Sequence, residues 1–99
     1  MYNSLEYFEK LARDNNINVI YSDCSNKPLK AFIIKIDNQY YISIDSNASM
    51  NEKRDMLVQE LAHFFTDTFY NVNDSEKIKI EKENIAIDYM RKELLKNEK

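Results

Sequence analysis

The chain of 99 residues has no glycine and no tryptophan, and only one proline, one cysteine and one histidine. Without glycine, its turns must be built mainly from Asn, Asp and Ser, which accept turn conformations better than most residues. The lone Cys24 excludes an internal disulfide, so we expect a reduced, cytoplasmic setting. The lone His63 excludes any metal or catalytic site that needs two imidazoles from this chain.

Long apolar runs and an excess of positive charge are also missing. No run approaches the length of a membrane span, and the first residues lack the pattern of a secretory signal. The net charge is -3, which provides no broad basic surface. We therefore expect no membrane partner and no direct nucleic-acid partner. With 43% hydrophobic and 31% charged residues, the chain is predicted to form a single globular domain, residues 1–99.

Residue patterning predicts an α+β fold. Apolar side chains at helical spacing predict a first helix over residues 4–15, which Asn3 or Ser4 can cap. The predicted strands are short β-branched and aromatic runs at residues 18–21, 31–36 and 40–44. The last two flank residues 37–39 and form a hairpin. Together these runs predict a small three-stranded sheet.

Two further helices follow the sheet. Residues 49–52 read Ser-Met-Asn-Glu, a capping box that predicts a helix over residues 50–70, packed against the sheet. Residues 71–74 interrupt the pattern, and a third helix is predicted over residues 75–96.

The second helix carries the most informative motif. Residues 59–63 read Gln-Glu-Leu-Ala-His, which is the zinc-peptidase pattern His-Glu-x-x-His with Gln59 at the first histidine. In that pattern the two histidines hold the metal and the glutamate acts on water. Glu60 and His63 occupy the remaining two positions, so the helix is zincin-like in sequence.

Helical geometry places the polar residues of this motif on one flank. With Gln59 at zero, His63 lies near about 40°, Asp67 near about 80° and Glu60 near about 100°. A half-buried metal site needs such a flank. A solvated helix face would give the same pattern, and the motif alone leaves both interpretations open.

Glu83 on the third helix favours the site interpretation. It falls in the middle of a stripe of apolar residues: Ile80, Ala86, Ile87, Met90 and Leu94. A buried carboxylate without a partner is costly, so Glu83 is expected to meet a metal or a hydrogen-bond donor. A zinc ion is one candidate, because two histidines and a glutamate form a known catalytic set. A salt bridge or a bond to His63 is the alternative.

The order of these pieces resembles the ImmA/IrrE metallopeptidases of bacteria and their mobile elements. The resemblance covers the hairpin, the capped helix with Glu60 and His63, and a Glu-x-x-Ala-x-x-aromatic run that starts at Glu83 and reaches Tyr89. It implies a zinc-dependent endopeptidase that cleaves a partner protein, often a transcriptional repressor. Glu60 would then be the general base, and His63 and Glu83 would be zinc ligands.

The chain departs from that family at the first ligand position. Gln59 stands where a zinc-binding histidine belongs, and a neutral amide is a poor zinc ligand beside imidazole. Asp67, one helical turn past His63, could partly replace it. Zinc is therefore expected to be weakly bound or lost. Three classes of function stay open at this point: an impaired metallopeptidase, an inactive module that binds a repressor-type protein, and a metal-free structural domain.

Overall fold

In the computed structural model, which describes residues 4–71 and 73–95, two α-helices pack on a three-stranded sheet, and a third packs on the second of these helices. The elements in chain order are α1 (Leu5–Asp14), β1 (Ile17–Ser22), β2 (Ala31–Ile36), β3 (Gln39–Asp45), α2 (Met50–Thr66) and α3 (Glu76–Tyr89). A π-helical turn, Met90–Leu94, continues α3. The predicted α+β class with a small three-stranded sheet is confirmed.

The sheet has the order β1-β3-β2, with β1 parallel and β2 antiparallel to the central strand β3. The β2–β3 turn contains only Asp37 and Asn38, with φ of 50° and 67°. Tight hairpins need positive φ at both central positions, and Asp and Asn provide it here in place of glycine. The predicted turn was one residue too long, because Gln39 already pairs with Ile36.

The hydrophobic core lies between the helices and one face of the sheet. Ser4 caps α1 as predicted, whereas Asn3 lies outside the described residues. The capping box predicted between Ser49 and Glu52 is present at the start of α2. The core is built mainly from aliphatic side chains and one phenylalanine: Leu5, Phe8, Ala12, Ile17, Ile42, Ile44, Leu57, Val58 and Leu61. Because α2 contributes three of them, its rotation about its own axis is fixed.

Two helix predictions need correction. The second helix ends at Thr66 rather than near residue 70, because Asp67 adopts a left-handed backbone with φ 53° and caps the helix. On α3, Ile80 was placed in the apolar stripe but is 57% exposed. Among the described helices and strands, α3 packs against α2 and its own continuation but not against the sheet, so one face of α3 stays exposed. The predicted end at Lys96 lies outside the described residues.

None of the helices within residues 4–71 and 73–95 is long and apolar enough to cross a lipid bilayer.

Candidate functional site

The candidate site lies where α2, α3 and the loop between them meet. On α2, Leu57, Val58 and Leu61 face the core. This orientation turns Gln59 and Glu60 to the half-buried flank and places His63 in the interior, where its side chain is only 4% exposed. The sheet therefore positions the motif by fixing the helix that carries it.

A chain of hydrogen bonds fixes the ring of His63. Nδ1 lies 3.0 Å from the carbonyl oxygen of Thr68 and 3.1 Å from its hydroxyl. The Thr66 hydroxyl donates to the carbonyl of Ala62 at 2.7 Å, and the two threonine hydroxyls are 2.7 Å apart. Thr68 therefore donates to Thr66 and accepts from His63, which assigns a proton to Nδ1. In the neutral ring, Nε2 then carries the free lone pair.

The carboxylate of Glu83 contacts polar groups from α2 and from the loop that follows it. The amide nitrogen of Gln59 donates to Oε1, and the hydroxyl of Tyr70 donates to Oε2. The same Oε2 lies 3.3 Å from Nε2 of His63. We call Gln59, His63, Tyr70 and Glu83 the Glu83 cluster. It links α2, the loop and α3 through one half-buried carboxylate.

Contacts made by Lys82 and Phe69 position the loop that carries Tyr70. The ammonium of Lys82 donates to the Phe69 carbonyl at 2.6 Å and to Asp74 Oδ2 at 2.7 Å. The ring of Phe69 also stacks on Tyr40, with centroids 5.9 Å apart. The hydrogen bond from Lys82 is the main cause that lowers the pKa of Asp74. Lys82 thus fixes both ends of a short loop segment against α3.

Tyr70 is placed as a hydrogen-bond donor. Its ring lies edge-on to the ring of His63, with centroids 5.0 Å apart. Burial, followed by the hydrogen bond and the charge of Glu83, raises the pKa of Tyr70 above its ordinary value. The hydroxyl therefore keeps its proton at neutral pH and donates a hydrogen bond to the carboxylate.

Glu60 differs from Glu83 because none of the described residues donates a hydrogen bond to its carboxylate. It is half-buried, and no hydrogen bond reaches it from residues 4–71 or 73–95. Burial, and then the nearby charge of Glu83, raises the pKa of Glu60 from 4.5 to about 7. A carboxylate that titrates near neutral pH has the acidity expected of a general base.

Asp67 does not join the cluster in this structure. It caps α2 with its backbone N–H on the carbonyls of His63 and Phe64, and its side chain is exposed. Within the described residues, no contact connects its carboxylate with Gln59, His63 or Glu83. The assumption that the helix continues past residue 67 placed this side chain on the site flank, and the left-handed cap turns it away.

Replacing Asp67 with glycine is expected to stabilise the protein by about 0.5–1 kcal/mol, because glycine adopts a left-handed backbone without the penalty of a Cβ. Urea unfolding followed by circular dichroism would measure the gain. Zinc binding should stay unchanged. A loss of zinc affinity would show that Asp67 reaches the metal after all.

The donor set of the site does not match a catalytic zinc centre. Nε2 of His63 and a carboxylate oxygen of Glu83 are suitable ligands, and catalytic zinc normally has three from the protein. The amide nitrogen of Gln59 donates to Glu83 and is no metal ligand, so only the neutral amide oxygen of this side chain could serve as a third one. Among the described residues, no three histidine, cysteine, aspartate or glutamate side chains form a group able to hold a metal ion.

Sequence reasoning named Gln59, Glu60, His63 and Glu83, and the structure brings the first, third and fourth into direct contact. It missed Tyr70 and Thr68, because both were assigned to a continuing helix. The run Thr66-Asp67-Thr68 directly after the motif is a signal that could have revealed a helix end, since Thr and Asp compete for backbone hydrogen bonds.

No family model, curated protein or solved structure matches this chain. The functional argument therefore depends on the motif and on the geometry of the site.

Proposed function

We propose that this chain is an ImmA/IrrE-like metallopeptidase domain whose zinc site is weakened by Gln59. It acts on a repressor-type protein, mainly by binding it rather than by cutting it. One observation carries this proposal. Where the resemblance expects a zinc ligand, the Gln59 amide donates a hydrogen bond to the carboxylate that would be another ligand.

The balance of ligands supports weak metal binding. A site with His63 and Glu83 alone lacks one of the three protein ligands that hold catalytic zinc. Binding zinc would also displace the donors that now satisfy Glu83. Both effects lower affinity, so the domain is expected to fold and persist without metal.

The proposed partner follows from the resemblance. ImmA/IrrE-type proteins of phages and other bacterial mobile elements act on transcriptional repressors in the cytoplasm. The negative net charge of this chain favours a protein partner over a nucleic acid. The half-buried flank of α2 and the Glu83 cluster are the features of the structure that support this proposal.

The test measures binding and cleavage of a transcriptional repressor of a bacterial mobile element, the class of partner that the resemblance implies. Wild-type protein, prepared with and without EDTA, is titrated with that repressor by calorimetry. We expect equal affinity in both preparations and an intact repressor after prolonged incubation. Absence of binding would overturn the proposal, and so would binding that disappears on chelation.

Glu60 favours a second candidate function, residual peptidase activity. A half-buried carboxylate with a pKa of about 7, to which none of the described residues donates a hydrogen bond, costs stability, and such groups are often kept for chemistry. In this case, repressor fragments would accumulate slowly when zinc is supplied. Glu60→Gln would abolish them, because it removes the base and keeps the shape of the side chain.

A further inference from the structure

We propose that Tyr70 is a second block to metal binding, which acts beside Gln59 by holding Glu83 in a closed, hydrogen-bonded state. This inference concerns the same site but does not depend on the identity of the partner protein. It assigns to Tyr70, which lies outside the motif of residues 59–63, a role in keeping metal out of the site.

The first step is the assignment of the two oxygens of Glu83. Gln59 donates to Oε1 and Tyr70 donates to Oε2. A cation between His63 and Glu83 would need one of these oxygens, and both already have a donor. Oε2 lies 3.3 Å from Nε2 of His63, so Tyr70 donates to the oxygen that a metal held by His63 and Glu83 would use.

The second step is the placement of Tyr70. Its hydroxyl reaches Glu83 because Lys82 holds the carbonyl of the preceding residue, Phe69, at 2.6 Å. The edge of its ring rests against His63, and the phenol is 52% exposed. The hydroxyl is thus held over Glu83 by fixed neighbours.

The third step concerns how the Glu83 cluster connects the helices when no metal is bound. Gln59 belongs to α2, Tyr70 to the loop and Glu83 to α3, so two hydrogen bonds to one carboxylate connect three segments. Hydrogen bonds to a charged group are about twice as strong as neutral ones. Within residues 76–89 only Ala86 is buried, so these bonds contribute to holding α3 on α2 without a metal.

The experiment compares zinc affinity in four proteins: wild type, Tyr70→Phe, Gln59→His, and Gln59→His with Tyr70→Phe. Competition with a chromogenic zinc chelator provides the affinities. We expect Tyr70→Phe to raise the zinc affinity of the Gln59→His protein about tenfold, because a donor on Glu83 no longer has to be displaced. An unchanged or lower affinity would overturn the proposal.

A metal-free measurement keeps the test decisive if Gln59→His takes up no zinc. In EDTA, Tyr70→Phe should lower the melting temperature by about 4–8 °C, as expected for a change of about 1 kcal/mol in a domain of this size. Tyr89→Phe, which removes a hydroxyl elsewhere on α3, is the matched control and should change neither quantity. A Tyr70→Phe protein that melts like wild type would show that the hydroxyl does not hold Glu83.

Failure of this inference is distinguishable from failure of the proposed function. Repressor binding is measured on the wild-type protein without zinc, whereas the role of Tyr70 is measured without any repressor.

Discussion

Gln59→His is expected to raise zinc affinity by roughly 100-fold or more. The new imidazole lies one helical turn from His63 on the same flank, and with Glu83 it completes the three ligands that catalytic zinc sites use. Outer partners of zinc ligands alone change affinity by 10–100-fold, and a direct ligand contributes at least as much. Titration with zinc against a chelator of known affinity would measure the change.

Gln59→Leu separates the two consequences of the histidine substitution. It removes the amide donor from Glu83, as histidine does, but supplies no ligand. If both variants gain affinity equally, the gain comes from the release of Glu83 and not from a new metal bond. If Gln59→His leaves zinc affinity unchanged, the resemblance at this helix is superficial, and the binding function becomes the stronger interpretation.

The order and type of the elements could be predicted because they depend on local patterns. Strand β2 begins and ends where alternation of β-branched residues predicts it, and the capping box sets the start of α2. The end of α2 could not be predicted in the same way. Phe69 and Tyr70 look like further helical residues, and only the left-handed cap at Asp67 excludes them.

The sequence predicted which residues lie near one another where helix geometry decides their positions, but not where rotamers and loops decide them. Spacing along α2 placed Gln59 and His63 on a common flank, and an out-of-place carboxylate pointed to Glu83. The apolar stripe used for that argument was partly wrong, since Ile80 is exposed. The contact of Tyr70 with Glu83 depends on a loop anchored by Lys82, and no sequence period encodes such a contact.

The state of Glu60 also depends on tertiary structure. The motif assigns this residue the role of a base, but its acidity results from the burial of its helix flank and from the charge of Glu83 on another helix. A sequence pattern states which carboxylate is available. Only the tertiary structure determines the pKa of that carboxylate.

Glu60→Gln is expected to make the protein more stable at pH 8 and to leave its stability nearly unchanged below about pH 4.5. The unfolded chain loses the Glu60 proton near pH 4.5, while the folded protein keeps it to about pH 7. The free energy of unfolding of the wild type therefore falls as pH rises through this window and is not recovered above it. The difference in pKa corresponds to about 3 kcal/mol, and solvent around a half-buried group reduces this to about 2 kcal/mol.

Urea unfolding of wild type and Glu60→Gln at pH 4.5 and pH 8 would measure this difference in stability. Glu81→Gln removes an exposed carboxylate on α3 and controls for the change in net charge. Equal stability of Glu60→Gln and wild type at pH 8 would mean that Glu60 is solvated in the folded protein, and residual peptidase activity would lose the observation that favours it.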